Sequence, residues 1–138
     1  MIILDARVLI AHLESTDRQH ARATQLLLDA ADEELAASPL TLAEVLVGPA
    51  RAGQLAQAHS LLRELDLTSI PLGDDAAVRL AILHADTRLR LPDCGVLLAA
   101  GTVHGAVATF DTRLAVAAAE LGHQVHSGAV PTRVTVVG

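Results

Sequence analysis

The sequence contains no lysine, one cysteine and one aromatic residue, and each scarcity excludes a class of function. Without lysine, contacts to phosphate groups must come from arginine side chains or backbone N–H groups. The single aromatic residue, Phe110, excludes a row of rings on which successive bases of a single strand would stack. The single cysteine, Cys94, excludes an internal disulfide, which favours a reducing compartment.

Positive charge is also scarce, since the formal net charge is −6, opposite in sign to that of a typical nucleic-acid-binding domain. Broad electrostatic attraction to a polyanion is therefore excluded unless some carboxylates bind divalent cations.

No apolar run approaches the roughly 18 residues of a membrane-spanning helix. The first residues contain Asp5, Arg7 and His12, which is unlike a secretory signal. We expect a cytoplasmic protein without membrane contact.

The chain does have a large apolar fraction, 51% of 138 residues, which suffices for one domain spanning residues 1–138. Short apolar runs that resemble strands alternate with helical patterns, which favours an α/β fold of three α/β/α layers around a central, mostly parallel sheet. The predicted strands are residues 2–4, 35–38, 68–70, 106–109 and 124–126, with a further terminal edge strand at 134–137.

The predicted helices follow from apolar residues at helical spacing and from proline and glycine signals. A helix beginning at Pro39 should end or kink at Gly48-Pro49. A long helix that carries Leu91 should stop before Pro92. Gly122 is placed to terminate the last helix. The predicted helical segments are 6–13, 18–31, 39–48, 55–65, 76–91, 93–103 and 114–121.

Four carboxylates stand apart from the other twelve because their neighbours in the sequence are apolar: Asp5, Glu44, Asp93 and Asp111. Burying a carboxylate is costly unless it is paired, hydrogen-bonded or bound to metal. Asp5 and Asp111 follow predicted strands, whereas Glu44 and Asp93 stand at predicted helix starts. In a parallel sheet, strand ends and the starts of the following helices share one edge, so we predict that the four carboxylates meet there.

Such a cluster has a definite chemical use. Two carboxylates 4 Å apart repel by about 4 kcal/mol at an effective dielectric constant near 20, and a divalent cation relieves this repulsion. Mg²⁺ or Mn²⁺ is the expected ion, since no cysteine and histidine set has zinc spacing. A bound cation of this kind activates water and polarises a phosphoryl oxygen, and phosphodiester hydrolysis requires both.

Each carboxylate also has a purely structural interpretation. Asp5 and Asp111 would serve as helix N-caps, and Thr41 with Glu44 would form a capping box. Asp93, in a first helical turn, would interact favourably with the helix dipole. A fully structural domain therefore remains an alternative to the metal site.

At these residues the chain resembles the PIN domain, and specifically the VapC toxins of bacterial toxin–antitoxin pairs. The resemblance covers residues 1 to 126 and consists of segments in the family's order and approximate spacing: Ile-Ile-Leu-Asp5, Ser-Pro-Leu-Thr-Leu-Ala-Glu44-Val, Leu-Pro-Asp93 and Ala-Thr-Phe-Asp111. It implies an Mg²⁺- or Mn²⁺-dependent endoribonuclease with these four acids as catalytic and metal-binding residues. It also implies a homodimer, a small antitoxin whose C-terminal segment occupies the active-site groove, and RNA substrates such as tRNA, ribosomal RNA or mRNA.

The chain departs from the family pattern at two places. Ala6 and Arg7 occupy positions where the family usually has Ser, Thr or Asn, and Cys94-Gly95 replaces an Ala-rich helix start. The first departure supports an alternative function, a PIN scaffold that binds RNA or antitoxin without efficient cleavage. Two other phosphoryl-transfer families fit poorly: haloacid-dehalogenase phosphatases need Asp at position 7, and receiver domains need a lysine.

Further residues near the four acids have two interpretations each. Contact with the RNA backbone or a salt bridge to a nearby acid would explain a set of four arginines: Arg7, Arg88, Arg90 and Arg113. Thr109 would either support the site through its hydroxyl group or simply pack within its strand.

Overall fold

A five-stranded parallel sheet forms the centre of the computed structural model, which describes residues 1–128. The strand order is β3-β2-β1-β4-β5, and all four pairings between neighbours are parallel. The central strand β1 pairs with β4 so that Leu4 lies opposite Ala108. The strands are β1 Ile2–Leu4, β2 Leu35–Ala37, β3 Thr68–Ser69, β4 Ala106–Ala108 and β5 Val125–His126.

Seven helices in the described part of the chain connect and cover these strands. They are α1 Ala6–Leu13, α2 His20–Asp29, α3 Pro39–Arg51, α4 Leu55–Glu64, α5 Ala76–Thr87, α6 Leu91–Val103 and α7 Thr112–Glu120. The predicted α/β fold with a parallel sheet is therefore confirmed.

The alternation of side chains along β1 creates a separate core on each face of the sheet. Ile2 and Leu4 pack on one face with apolar residues of α1 to α4, while Ile3 packs on the other with α6 and α7. Successive residues of a strand point to opposite faces, so a strand with three consecutive apolar residues must be covered on both sides. This explains the predicted three layers.

Two predicted helix boundaries are wrong. Gly48-Pro49 does not end α3, which continues through Pro49 to Arg51. Because the helix extends only two residues beyond this proline, the missing Pro49 N–H removes one backbone hydrogen bond near the helix end. Leu91 belongs to α6 rather than to the preceding helix: α5 ends at Thr87, Arg88 takes a left-handed conformation with φ 62°, and α6 begins at Leu91. Proline in a first helical turn is favoured, so Pro92 starts α6 instead of following a helix.

Gly122 has φ 92° and terminates α7 as predicted. The terminal strand predicted at 134–137 lies outside the described residues. Among the helices of residues 1–128, none is long and apolar enough to cross a membrane.

Gly95 allows α6 to approach the start of α3 closely. A Cβ atom at this position would lie 3.0 Å from Ser38 Oγ and 3.1 Å from Leu40 Cδ1. Ser38 is buried and is the N-cap of α3, where its Oγ accepts a hydrogen bond from the Leu40 N–H at 3.1 Å. The departure from the family pattern at Gly95 therefore has a structural reason: it brings the helix carrying Asp93 against the helix carrying Glu44.

We predict that Gly95→Ala lowers the free energy of unfolding by about 1 kcal/mol, because the new Cβ displaces the Ser38 cap and overpacks the contact. Gly101→Ala in the same helix is the matched control, since a Cβ there would meet no atom within 4 Å. This control should be stabilised by roughly 0.5–1 kcal/mol through better helix propensity. Urea denaturation measures both changes, and equal stabilisation of the two variants would contradict the close packing at Gly95.

Candidate active site

A cleft of about 400 Å³ opens at the edge of the sheet where β1 and β4 end. The structure brings all four carboxylates singled out from the sequence to this cleft. Its walls are formed by Asp5, Ala6, Arg7, Ile10, Gln19, Glu44, Arg90, Asp93, Phe110 and Asp111. The parallel pairing of β1 with β4 accounts for this convergence, because it places the residues that follow both strands at one edge.

Asp5 is the most firmly held of the four carboxylates. It is 6% exposed, and its backbone N–H donates to the Ala108 carbonyl oxygen at 3.0 Å, which ties the end of β1 to β4. Its Oδ1 accepts a hydrogen bond from the Ala6 N–H at 2.8 Å, and Asp5 is the N-cap of α1. The N-cap interpretation of Asp5 is therefore correct, and it does not remove the side chain from the cleft.

Thr109 links Asp5 to Asp111. Its buried hydroxyl group donates to Asp5 Oδ2 at 2.7 Å and accepts from the Asp111 N–H at 2.9 Å. A buried hydroxyl group with both a donor and an acceptor partner has its rotamer and its direction determined. Of the two interpretations of Thr109, support of the site is the one that these hydrogen bonds favour.

Burial makes Asp5 a weaker acid than a solvent-exposed aspartate. Desolvation is the largest cause that raises the pKa of Asp5, and the nearby carboxylates Asp93 and Glu44 also raise it. The hydrogen bonds from Thr109 and the Ala6 N–H lower it, and the net result is a shift from 3.8 to about 6. A carboxylate that is difficult to ionise in a cleft with like charges is a common feature of functional sites.

Asp93 lies in the first turn of α6 and is 5% exposed. Burial raises its pKa, as do the charges of Asp111 and Glu44, whereas the guanidinium group of Arg90 lowers it. Arg90 contacts two of the acids: its Nη2 lies 3.2 Å from Glu44 Oε2 and its Nε lies 3.6 Å from Asp93 Oδ2.

Glu44 and Asp111 occupy the more open parts of the cleft. Glu44 projects from the second turn of α3, whose N-cap is Ser38, so the predicted capping box of Thr41 with Glu44 is wrong. Asp111 is exposed and is the N-cap of α7. Its Oδ1 accepts hydrogen bonds from the backbone N–H groups of Arg113, at 2.8 Å, and Leu114, at 3.3 Å.

The four arginines near the acids divide evenly between salt bridges and other roles. Arg90 pairs with two of the four acids, and Arg7 pairs with Asp17 and donates to Gln19 Oε1 at 3.0 Å. Arg88 ends α5, and its carbonyl oxygen accepts from Arg113 at 3.5 Å. Arg7 therefore lines the cleft while its charge is neutralised outside the acidic cluster.

Three further residues line the cleft that the sequence analysis did not propose as site residues: Ile10, Gln19 and Phe110. Each enters the cleft through tertiary packing. The Phe110 ring packs beneath the guanidinium group of Arg22, whose Cζ lies 4.3 Å from the ring centroid. Arg22 also donates to the Ser127 carbonyl oxygen at 2.7 Å, so this wall is tied to the segment after β5.

The donor chemistry of the cleft fits a hard divalent cation, because carboxylate oxygens are the ligands that Mg²⁺ and Mn²⁺ prefer. Burial raises the pKa of Asp5 and of Asp93, and repulsion from the neighbouring carboxylates adds to both shifts. A bound cation would relieve this repulsion. The carboxylates are not positioned for metal binding in this structure: within residues 1–128, no three His, Cys, Asp or Glu side chains lie close enough together to hold a metal ion.

We predict that Asp5→Asn changes the pH dependence of stability in metal-free buffer. Because the pKa of Asp5 is raised on folding, to about 6 from 3.8, the folded protein takes up a proton, and wild-type stability falls as the pH rises from 4 through 6. The variant lacks this loss, so its free energy of unfolding relative to wild type should increase by about 2 kcal/mol between pH 4 and pH 8. Urea denaturation at the two pH values in EDTA tests this. If the difference in free energy of unfolding between the two proteins were the same at both pH values, the pKa of Asp5 would not change on folding, which would contradict the prediction.

The sequence model of the PIN domain matches residues 2–120. Among solved structures, a chain of a toxin–antitoxin complex from Klebsiella pneumoniae is 28% identical, with a TM-score of 0.65 over 81% of this chain and 88% of that chain. Two chains with lower sequence identity share the fold. FitAcB from Neisseria gonorrhoeae is 20% identical, with a TM-score of 0.62 over 93% of this chain and 98% of its own. VapBC2 from Rickettsia felis, bound to a promoter DNA fragment, is 15% identical, with a TM-score of 0.67 over 91% and 98%.

No curated protein sequence matches the chain. The PIN match nevertheless covers most of the chain and includes all four acids of the cleft. The resemblance noted in the sequence is thereby confirmed. The chain belongs to the PIN domain family, whose members are generally nucleases.

Proposed function

We propose that this protein is an Mg²⁺- or Mn²⁺-dependent endoribonuclease toxin of the VapC type. The observation that carries the proposal is the cleft at the sheet edge, which two buried carboxylates, Asp5 and Asp93, line together with Glu44 and Asp111. Membership in a nuclease family supplies the reaction class, hydrolysis of a phosphodiester bond in a nucleic acid.

Asp5 and Asp93 are the proposed principal metal ligands, and Glu44 and Asp111 complete the acidic set. When bound, the cation would supply an activated water and polarise a phosphoryl oxygen. Both oxygens of Asp5 already accept one hydrogen bond each, but a carboxylate oxygen has two lone pairs, so each retains one for a further partner.

The chain's own residues set the geometry of this reaction. Thr109 and the Ala6 N–H hold the Asp5 carboxylate in one orientation, which removes the need to order it during the reaction. The α7 N-terminus holds Asp111 through Oδ1, and within the described residues its Oδ2 has no hydrogen bond, so it is open to a water molecule. Arg90, whose side chain is 68% exposed, is the cation that the cleft presents to a phosphate.

RNA as the substrate, a homodimer and an antitoxin partner are parts of the same proposal. The antitoxin partner is supported by the 28% identical chain, which comes from a toxin–antitoxin complex. RNA specificity and dimerisation follow from the resemblance to VapC toxins.

A second function, a PIN scaffold that binds RNA or antitoxin but cleaves poorly, is favoured by one observation. Ala6 contributes only a backbone N–H to Asp5, and Arg7 is bound to Asp17, so neither position adds a side-chain oxygen to the acidic cluster. The two functions differ in whether RNA bound to the protein is cut.

We predict that the purified protein cleaves RNA in Mg²⁺ or Mn²⁺, and that Asp5→Asn or Asp93→Asn lowers the cleavage rate by about 100-fold or more, since loss of a metal ligand costs at least as much as loss of its supporting partner. Asp74→Asn is the control, because Asp74 is an exposed turn carboxylate that does not line the cleft. Gel assays on total cellular RNA provide the measurement.

Cleavage that continues in EDTA, or in both cleft variants, would contradict the metal mechanism. RNA that is bound by the wild-type protein in Mn²⁺ but remains intact would identify the scaffold function instead.

A further inference from the structure

Arg90 is the one arginine, within residues 1–128, whose side chain forms an ion pair with any of the four cleft acids. It reaches Glu44 through Nη2 and Asp93 through Nε, so one guanidinium group bridges acids on two different helices. The close approach of α3 and α6 at Gly95 makes this bridge possible.

The guanidinium group of Arg90 lies where the clustered carboxylates need a positive charge. Asp93 is 5% exposed and repelled by Glu44 and Asp111, and Arg90 is the group that opposes this repulsion. An arginine side chain stays charged at all accessible pH values, so this charge cannot be lost to make room for another cation.

We propose that Arg90 is the resident counter-ion of the cleft, which a divalent cation must displace from Glu44 and Asp93 in order to bind. This inference rests on the proposed metal site. It explains how four carboxylates share a cleft within residues 1–128 although no three of them form a ready metal-binding group: the guanidinium group between Glu44 and Asp93 balances part of their charge.

Displacement is feasible because Arg90 is held weakly. Its side chain is 68% exposed, its contacts with the two acids are 3.2 and 3.6 Å long, and neither contact is bidentate. Solvent around the exposed guanidinium group screens these ion pairs, whereas a divalent cation carries twice the charge on a compact centre. Arg90 therefore lowers the affinity for metal without preventing metal binding.

The test compares the binding of Mn²⁺ alone, without RNA, to wild type, Arg90→Gln and Arg7→Gln by isothermal titration calorimetry. Arg7→Gln is the matched control, because it removes the same charge from the same cleft but breaks a bridge to Asp17 rather than to the four acids. We expect Arg90→Gln to bind Mn²⁺ about three- to tenfold more tightly than wild type, and more tightly than Arg7→Gln.

A second measurement on the same proteins is thermal unfolding with and without Mn²⁺. Arg90→Gln should unfold at a lower temperature than wild type in EDTA, where its acids lack a counter-ion, and should gain more from added Mn²⁺. If Arg90→Gln bound Mn²⁺ no more tightly than wild type, the proposed role of Arg90 would be overturned, whereas the proposed metal site would stand. No Mn²⁺ binding by any of the three proteins would overturn the proposed metal site and this inference with it.

Discussion

The burial of the Asp5 carboxylate at the end of the central strand is the constraint on which the whole site depends. Parallel pairing with β4 places this residue between two layers of helices, where water cannot solvate its charge fully. The protein compensates with two hydrogen bonds, from Thr109 and from the Ala6 N–H, but these do not offset the desolvation, and the pKa of Asp5 remains raised to about 6. The site is thus built around a charge that the fold alone does not stabilise.

The rest of the cleft adds to this electrostatic cost. In addition to burial, Asp93 and Glu44 raise the pKa of Asp5. Burial likewise raises the pKa of Asp93, to which Asp111 and Glu44 add while Arg90 opposes them. A purely structural domain would gain stability by replacing one of these carboxylates with an amide. Their concentration at one sheet edge, with Arg90 bridging two of them, is typical of a site that binds a cation during its function.

The sequence predicted the sheet and the identity of the four cleft acids because both follow from local patterns. Apolar runs that end in an acid indicated β1 and β4, and the rule that parallel strands end at one edge brought Asp5 and Asp111 together. Asp5 and Asp111 are N-caps and also line the cleft, so the capping role of each side chain does not exclude a functional one.

Other features could not be predicted, because they depend on packing between distant segments. The Glu44–Arg90 contact joins residues 46 positions apart, and nothing local in either segment indicates it. Gly95 looked like a poor helix residue until the structure placed Ser38 and Leu40 against it. The break between α5 and α6 was missed because Leu91 continues the apolar spacing of α5, although Pro92 favours the start of a new helix.

Anomalous diffraction from crystals grown with Mn²⁺ tests the central claim most directly, because it locates the ion without relying on activity. The account predicts an anomalous peak in the cleft, with carboxylate oxygens of Asp5 and Asp93 at roughly 2.0–2.3 Å from the ion, as expected for a hard divalent cation with oxygen ligands. A cleft without an anomalous peak in crystals that bind Mn²⁺ elsewhere would contradict it.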